Sequence, residues 1–561
     1  MTKLNETSVK TEALKVRGAP EPISAIAVLA CAWPALLLAT VCLLPFLNKP
    51  FILDDPHFLA MAQQIIKHPA HPMDFTICWN LSPDCTKAYV LTPGNALMGY
   101  VLVPTVLTGA HEWTAHLTQL VLVWIAVLAM TSLVLRFGWN QRHAIAGALL
   151  LVAIAPFLPM ASTAMPDILA AAVALVAMER LAAWKAEQKW TQGAGAAIAL
   201  GLAGLARAHL PLLLPLAAFY LLESTDPKEV FAQVRRRFWL WTPVLAGSGL
   251  LFAIIATTRE HNLGLNPPAG VSGFHNLGRN LVAYLLYFVI PLPLAACWIA
   301  NRLRNRSVRA AILLIVAEGI AWFGDFGEQR RFTMLAAIGL AALIDLLYEA
   351  LDTKEHTSIF LMLWISIPLP IVYYFHLPSK YLLPSMPAVI LLCFRLMEGF
   401  SLRFSRAAAI FMIVAGTGYS FLILRSDAEF ARFGRDAMYR LIRPHVAAGE
   451  RVWFSGQFSA YWYAPLAGAT QTYPGGPQPQ PGDLLVVGNF EGGEKFVLPR
   501  FPDRTLVDAV THKYRFGRTM GAEIGLYTNR VGYWLWGFGD SPNDRYELWR
   551  ITCCGRLAAV M

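Results

Sequence analysis

Charge is what this chain has least of. Across 561 residues only 15% are Asp, Glu, Lys or Arg, against 56% hydrophobic, and the mean hydropathy is +0.48. So little charge, gathered between long apolar runs, points to a polytopic membrane protein. The net charge of +10 is no sign of a nucleic-acid partner, because most of the Lys and Arg surplus sits in short loops, where the positive-inside rule accounts for it. Cysteine is sparse too: eight residues, too scattered for a disulfide framework. Cys31, Cys42, Cys297 and Cys393 lie in apolar spans and read as small packing side chains. Cys78 and Cys85 share the first outer loop and are either a staple or two free thiols. No His/Cys cluster has zinc spacing, Cys553-Cys554 included. No Walker A and no Gly-rich dinucleotide fingerprint is present, which argues against an ATP-driven transporter and a cytoplasmic nucleotide-sugar enzyme. No cofactor is implied; a divalent metal on the outer acids is compatible with the sequence, but no spacing demands one.

What is present is a succession of apolar spans. Residues 1–23 carry Lys3, Lys10, Lys15 and Arg17 ahead of an apolar stretch too long for a signal-peptide core, an uncleaved cytoplasmic start. About thirteen spans follow, near 24–47, 114–135, 144–162, 166–184, 192–206, 208–222, 239–258, 281–300, 308–323, 333–350, 358–375, 381–400 and 406–423. Arg136/Arg142, Lys185/Lys189, Arg235–Arg237, Arg302/Arg304/Arg306/Arg309 and Arg403/Arg406 then fall on one side, the cytoplasm. The apolar stretch 93–110, short and broken by Pro93 and Pro104, is assigned to the outer face within a first outer loop, 48–113, that carries interfacial helices. The expected membrane domain is 24–423, a mainly α bundle. An odd span count puts 424–561 outside as a small periplasmic α/β domain. Its strands are expected at 451–454, 483–487, 495–497, 523–527 and 546–549, with a turn-rich loop at 473–482.

Functional residues gather on the outer face. Asp54-Asp55 stands just beyond the first span, and acids there are functional candidates by default. Phe58, Leu59, Ala62, Ile65 and Ile66 then fall on one helical face and Gln63, Gln64 and Lys67 on the other, a helix lying in the interface. Asp55 before Pro56 suits an N-cap; Asp54, about 100° away, is freer to face a site. Asp167 follows Pro166 at the outer start of a span, where the helix dipole explains it as well as a site does. The same face carries Arg207, His209, Arg259, Arg279, Arg330, Arg331 and Lys380. Each either snorkels to headgroups or binds phosphate, for which Arg offers a fork and Lys a point charge.

The order of these features resembles the GT-C glycosyltransferases, in particular the bacterial aminoarabinose transferase and protein O-mannosyltransferase group. It is carried by the acid pair, Asn95-Ala-Leu-Met-Gly-Tyr100, Thr108-Gly-Ala-His-Glu-Trp113, Met165-Pro-Asp167, Gly201-Leu-Ala-Gly-Leu-Ala-Arg207 and Lys380-Tyr-Leu-Leu-Pro-Ser-Met-Pro387. It covers the membrane part, about three quarters of the chain. The resemblance implies an enzyme of the bacterial inner membrane. It would transfer a sugar, with inversion, from a polyprenyl-phosphate donor to a periplasmic lipid, glycan or protein. Asp54 would act on the acceptor with Asp167 beside it, and Asp55 completes the candidate catalytic acids. Two departures stand out. The relatives carry a Lys before a Pro-Pro pair where this chain reads Val90-Leu-Thr-Pro-Gly-Asn95, so phosphate contact falls to Arg207, Arg330, Arg331 or Lys380. The second acid of the pair, usually Glu, is Asp55. The alternative is a flippase or transporter of lipid-linked glycans, with the acids as proton relay and the breaks at Pro211 and Pro291 as hinges.

Overall fold

The computed structural model describes residues 23–78, 85–91, 95–223, 227–258, 273–323, 330–490, 493–521, 523–541 and 544–553. Among these, seven helices are long and apolar enough to cross a membrane: Ala25–Phe46, Glu112–Arg136, Phe238–Thr257, Arg330–Asp352, His356–Tyr373, Ser379–Met397 and Leu402–Ala447. This is fewer than the spans expected from the sequence, and the intervening segments show why. The stretch 144–162 is helical over Gln141–Ala153, turns, and resumes as Phe157–Ala161. The stretch 281–300 divides into Leu277–Tyr287 and Leu294–Arg304 around Pro291 and Pro293, which interrupt the backbone ladder. The stretch 192–222 folds as the expected hairpin, Trp190–Ala206 and Leu213–Leu221. Pieces packed inside a bundle need not reach the ~20 residues of an isolated span, because neighbouring helices cover them and satisfy their ends.

The first helix shows how sequence sets packing. Ala25–Leu43 buries Cys31, Ala32, Ala35, Ala39 and Cys42, while Ile26, Leu29, Trp33, Leu37 and Val41 stay exposed. Small residues let the backbones of Glu112–Arg136 and Gln141–Ala153 approach closely, and the large ones suit lipid. Helix Asp167–Glu187 is buried along most of its length. Glu179, about 18 Å along it from Asp167, pairs with Arg136, and Asp345 pairs with Arg302 and Arg309. Several of the basic residues assigned to one side therefore have carboxylate partners.

Helix Asp55–Lys67 buries Phe58, Leu59, Met61, Ala62 and Ile65, against Ala96–Val101 and Val103–Leu107. Ile66, expected on that face, is 42% exposed; protein, not lipid alone, covers the apolar side. Cys78 and Cys85 are disulfide-bonded, resolving that alternative.

The final apolar helix, Leu402–Ala447, runs for 46 residues, about 70 Å, straight through the 423–424 boundary drawn from the sequence. Its first half exposes Ile410, Phe411 and Val414 and its second half buries Phe430, Phe433, Met438 and Leu441. There it packs on a five-stranded mixed sheet ordered 470–471, 452–455, 484–488, 545–551, 504–511. Strand 452–455 is parallel to both neighbours, and 545–551 is antiparallel to both of its own. Leu484–Gly488 is buried at every position, with Val497, Leu498 and Phe501 closing the face away from the helix. Residues 495–497, expected as strand, belong to a helical turn, and the strand Arg504–Thr511 escaped the pattern because its burial does not alternate. Apolar residues of bundle and sheet form one continuous buried cluster.

Candidate active site

Two loops meet where the first span ends. Asp55 is fully buried and its carboxylate accepts from the Ile52 amide (2.9 Å) in its own loop and the Ala164 amide (2.7 Å) in the loop preceding helix Asp167–Glu187. It is therefore not the cap of its own helix, as the Asp-Pro pattern suggested. That position belongs to Asp54, whose side chain makes no capping bond. Lys49, also fully buried, donates to the Ser162 carbonyl (3.0 Å) and hydroxyl (3.1 Å) and pairs with Asp427 of the long final helix. Gln119 Nε2 donates to the Met165 carbonyl (2.8 Å). Segments 49–55 and 162–167 are thus pinned to one another, and the acid-bearing ends of both are fixed together.

Onto this scaffold three charges converge. Asp167 Oδ1 pairs with Arg207, which leaves its helix in an extended conformation and lies over the Tyr381 ring at 4.6 Å. Lys380, 3% exposed, sits in the turn Ser379–Ser385, whose Pro384 carbonyl and Ser385 hydroxyl are bonded to buried Trp364. The Lys380 ammonium has Met165 Sδ at 3.3 Å and Asp167 Oδ2 at 3.8 Å. The first is a weak acceptor and the second is beyond hydrogen-bond length. Asp167 Oδ2 has no hydrogen-bond partner among the described residues. A buried ammonium and a buried carboxylate oxygen thus face each other with unused capacity, where native interiors normally satisfy such groups.

Asp54 completes the set. It is partly exposed, and no hydrogen bond engages its carboxylate among the described residues. Burial raises its pKa above the ordinary carboxylate value, with Lys380 and Arg207 pulling it down and Asp167 pushing it up. Asp55 is pushed up to about 7 by burial, against Lys49 and its two amide donors. The adjacent acids thus differ in kind: Asp55 is committed to backbone, Asp54 is available and faces the charges.

Around the cluster, His376 bonds Tyr381 Oη (2.9 Å) through Nε2 and Thr528 Oγ1 (3.0 Å) through Nδ1; burial, then the surrounding cations, lower its pKa well below the usual imidazole value. Arg279 donates to Asn276 Oδ1 (2.8 Å) and to the Phe375 carbonyl.

Of the residues picked from the sequence, Asp54, Asp167, Arg207 and Lys380 come together, with Asp55 beneath them. Arg330 and Arg331 do not join them. Arg330 lies over Trp322 at 5.7 Å, and Arg331, half-exposed, pairs with Glu523. Arg259 and residues 92–94 of the Val90–Asn95 stretch fall outside the described residues. No group of three or more His, Cys, Asp or Glu could hold a metal ion among the described residues. Sequence reasoning missed Lys49, Asp427 and Tyr527, whose hydroxyl donates to Asp427 Oδ2 at 2.6 Å and whose ring lies 5.2 Å from Lys380 Nζ. Lys49 reads as an ordinary basic residue after a span, and Asp427 lies just past the boundary drawn at 423; an acid only a few residues beyond an apolar run was the available signal.

No protein-family model and no curated protein sequence matches this chain. Among solved structures it is similar to ArnT from Cupriavidus metallidurans bound to undecaprenyl phosphate, with a TM-score of 0.43, 13% identity, and 83% of this chain and 94% of that chain covered. The apo state of the same protein gives a TM-score of 0.37, 14% identity, and 82% and 92% coverage.

Proposed function

We propose that this protein is a membrane glycosyltransferase that moves a sugar, with inversion, from a polyprenyl-phosphate donor to an acceptor outside the cytoplasm. The observation that carries the reading is the pairing of unused groups: a free acid, Asp54, beside a buried ammonium, Lys380, that lacks a strong acceptor. A phosphate oxygen supplies the acceptor that Lys380 lacks, and Arg207 adds a second, forked cation.

The chemistry balances within this set. The acceptor hydroxyl or amine gives its proton to Asp54 and attacks the anomeric carbon, forming the new glycosidic bond. The bond from that carbon to phosphate breaks from the opposite face, and its electron pair leaves with the phosphate oxygen. The donor phosphodiester carries one negative charge and the released polyprenyl phosphate two, so charge builds where Lys380 and Arg207 lie. Preorganised cations there stabilise the leaving group in place of a general acid. In this reading the site faces outward from a bacterial inner membrane, with the N-terminus cytoplasmic and the sheet of residues 452–551 outside. Which sugar moves is decided by contacts of the donor ring.

The test is release of free polyprenyl phosphate from radiolabelled polyprenyl-phosphate sugars by the purified protein in membrane extract. Wild type should release it and Asp54→Asn should not. A folded wild type that translocates such donors between leaflets without cleaving any of a broad set would replace this reading with that of a flippase.

A further inference from the structure

We infer that the C-terminal part of the chain completes the phosphate site, with Tyr527 acting as the positioning residue for Lys380. The inference rests on the reading of Lys380 as a phosphate ligand.

The starting point is how a buried ammonium is held without being neutralised. Among the described residues, no carboxylate lies within hydrogen-bond distance of Lys380 Nζ. What flanks it instead are two ring faces, Tyr381 at 5.9 Å and Tyr527 at 5.2 Å. A ring face attracts a cation through its quadrupole at such distances, yet accepts none of its strong hydrogen bonds. An ammonium held this way keeps its N–H donors for a ligand oxygen. A carboxylate in the same place would consume both the donors and the charge.

The ring of Tyr527 is itself fixed. Its hydroxyl donates to Asp427 Oδ2 at 2.6 Å, and Asp427 also pairs with Lys49 and accepts from Thr519 Oγ1 at 3.2 Å. The neighbouring residues grip the segment that carries Lys380. Thr528 bonds His376, and Asn529 accepts from the Leu377 amide (2.9 Å) while donating to Asn280 Oδ1 (2.9 Å). Three successive residues of the C-terminal part therefore hold the approach to Lys380, and of the three it is Tyr527 that faces its charge. Lys49, which ties the two acid-bearing loops, and Tyr527, which steadies the cation, share one anchor in Asp427. The ligand class is a lipid monophosphate headgroup.

The test uses the full chain in lipid nanodiscs and the binding of farnesyl phosphate, with inorganic phosphate as a parallel probe to separate headgroup from lipid recognition. Tyr527→Leu should raise the Kd for farnesyl phosphate about 3- to 30-fold, and should add nothing further in a Lys380→Met background. Arg331→Ala, which removes only a half-exposed surface pair with Glu523 of the C-terminal part, should stay within about twofold of wild type. If Tyr527→Leu does not fold, Tyr527→Phe, which keeps the ring and loses only its anchor on Asp427, carries the test with a rise of about threefold or more that again vanishes with Lys380→Met. An unchanged Kd, or an equal loss in both backgrounds, overturns the positioning role. If Lys380→Met binds as wild type does, it is the phosphate-site reading that fails, and the two failures are distinguishable.

Discussion

The sharpest consequence of the site is that two adjacent aspartates should fail in different ways when changed. The Asp54 carboxylate makes no hydrogen bond among the described residues, so Asp54→Asn removes no structural contact and should leave stability within about 0.5 kcal/mol of wild type. Its loss should fall on turnover, by roughly 10²- to 10⁴-fold, the usual contribution of a positioned base. Asp55 accepts from two buried amides, Ile52 and Ala164. Asp55→Ala leaves both unpaired at about 1–3 kcal/mol each, roughly 2–6 kcal/mol in all, and releases the contact between the loops carrying Asp54 and Asp167. The thermal midpoint of the purified protein should then fall by several degrees, while that of Asp54→Asn stays put. The assay pairs that melt with polyprenyl phosphate release measured well below the midpoint of each variant. Full turnover by Asp54→Asn would refute the base assignment. An Asp55→Ala protein as stable as wild type would refute the division of labour between the two acids.

Further outcomes follow from the same geometry. Activity should fall as pH drops through the raised pKa of Asp54, because the base must be unprotonated. Lys380→Met should move this acid limb to higher pH and Asp167→Asn to lower pH, read from pH–rate profiles of residual activity. The folded-state pKa of Asp55, about 7, lies above its unfolded value, so the unfolded chain releases this proton first and stability contributed at this residue declines as pH rises from about 4 to 7, by a few kcal/mol. The melts of Asp55→Asn should show a flatter pH dependence over that window. Arg331→Ala, which removes a surface pair with Glu523, should change donor cleavage less than about twofold; a loss as large as that of Arg207→Ala would restore Arg331 to the site. Gly339 lies where a Cβ would come within 2.2 Å of the Leu285 carbonyl, so Gly339→Ala should destabilise the bundle by about 1–3 kcal/mol, visible as a lowered melt.

The membrane class and the charges at the ends of the apolar spans were legible in the sequence because both rest on local signals. Long apolar runs announce themselves, and an acid or cation at the end of one stands out against its neighbours. Asp54, Asp167, Arg207 and Lys380 were all readable this way, and their convergence followed from a shared end of the bundle. What was not legible depends on tertiary packing. Asp-Pro at a helix start looks like a cap, and nothing in residues 51–58 or 162–167 taken alone says that the carboxylate of Asp55 turns away to bond Ala164, over a hundred residues on. Arg330 and Arg331 carried the same local signal as Arg207, yet a surface partner and an exposed position set them apart. Helix Leu402–Ala447 defeated the boundary at 423 because loss of hydropathy marks the end of the apolar environment, not of the helix. The strand 504–511 failed for the complementary reason: half-exposed on an edge, it lacks the alternation that identifies a strand.

In the proposed mechanism, the arrangement of Asp167 explains how Asp54 as a base and two cations can share one site without cancelling. If Asp54 were bonded directly to Lys380 or Arg207, its carboxylate would be held in the charged form and its basicity spent; if neither cation had a partner, two buried positive charges would repel and be costly to keep ionised. Asp167 takes Arg207 through one oxygen and leaves the other 3.8 Å from Lys380, close enough to offset the ammonium and too far to occupy it. The proton that Asp54 gains in the proposed step removes one negative charge at the moment the leaving phosphate acquires one, so the net charge of the buried set is the same before and after. On that ground Asp167→Asn should impair donor binding and turnover together, because Arg207 loses its orientation and the unbalanced cations must be paired from elsewhere. A variant with weakened turnover but unchanged polyprenyl phosphate affinity would show that Asp167 belongs to the acceptor side instead.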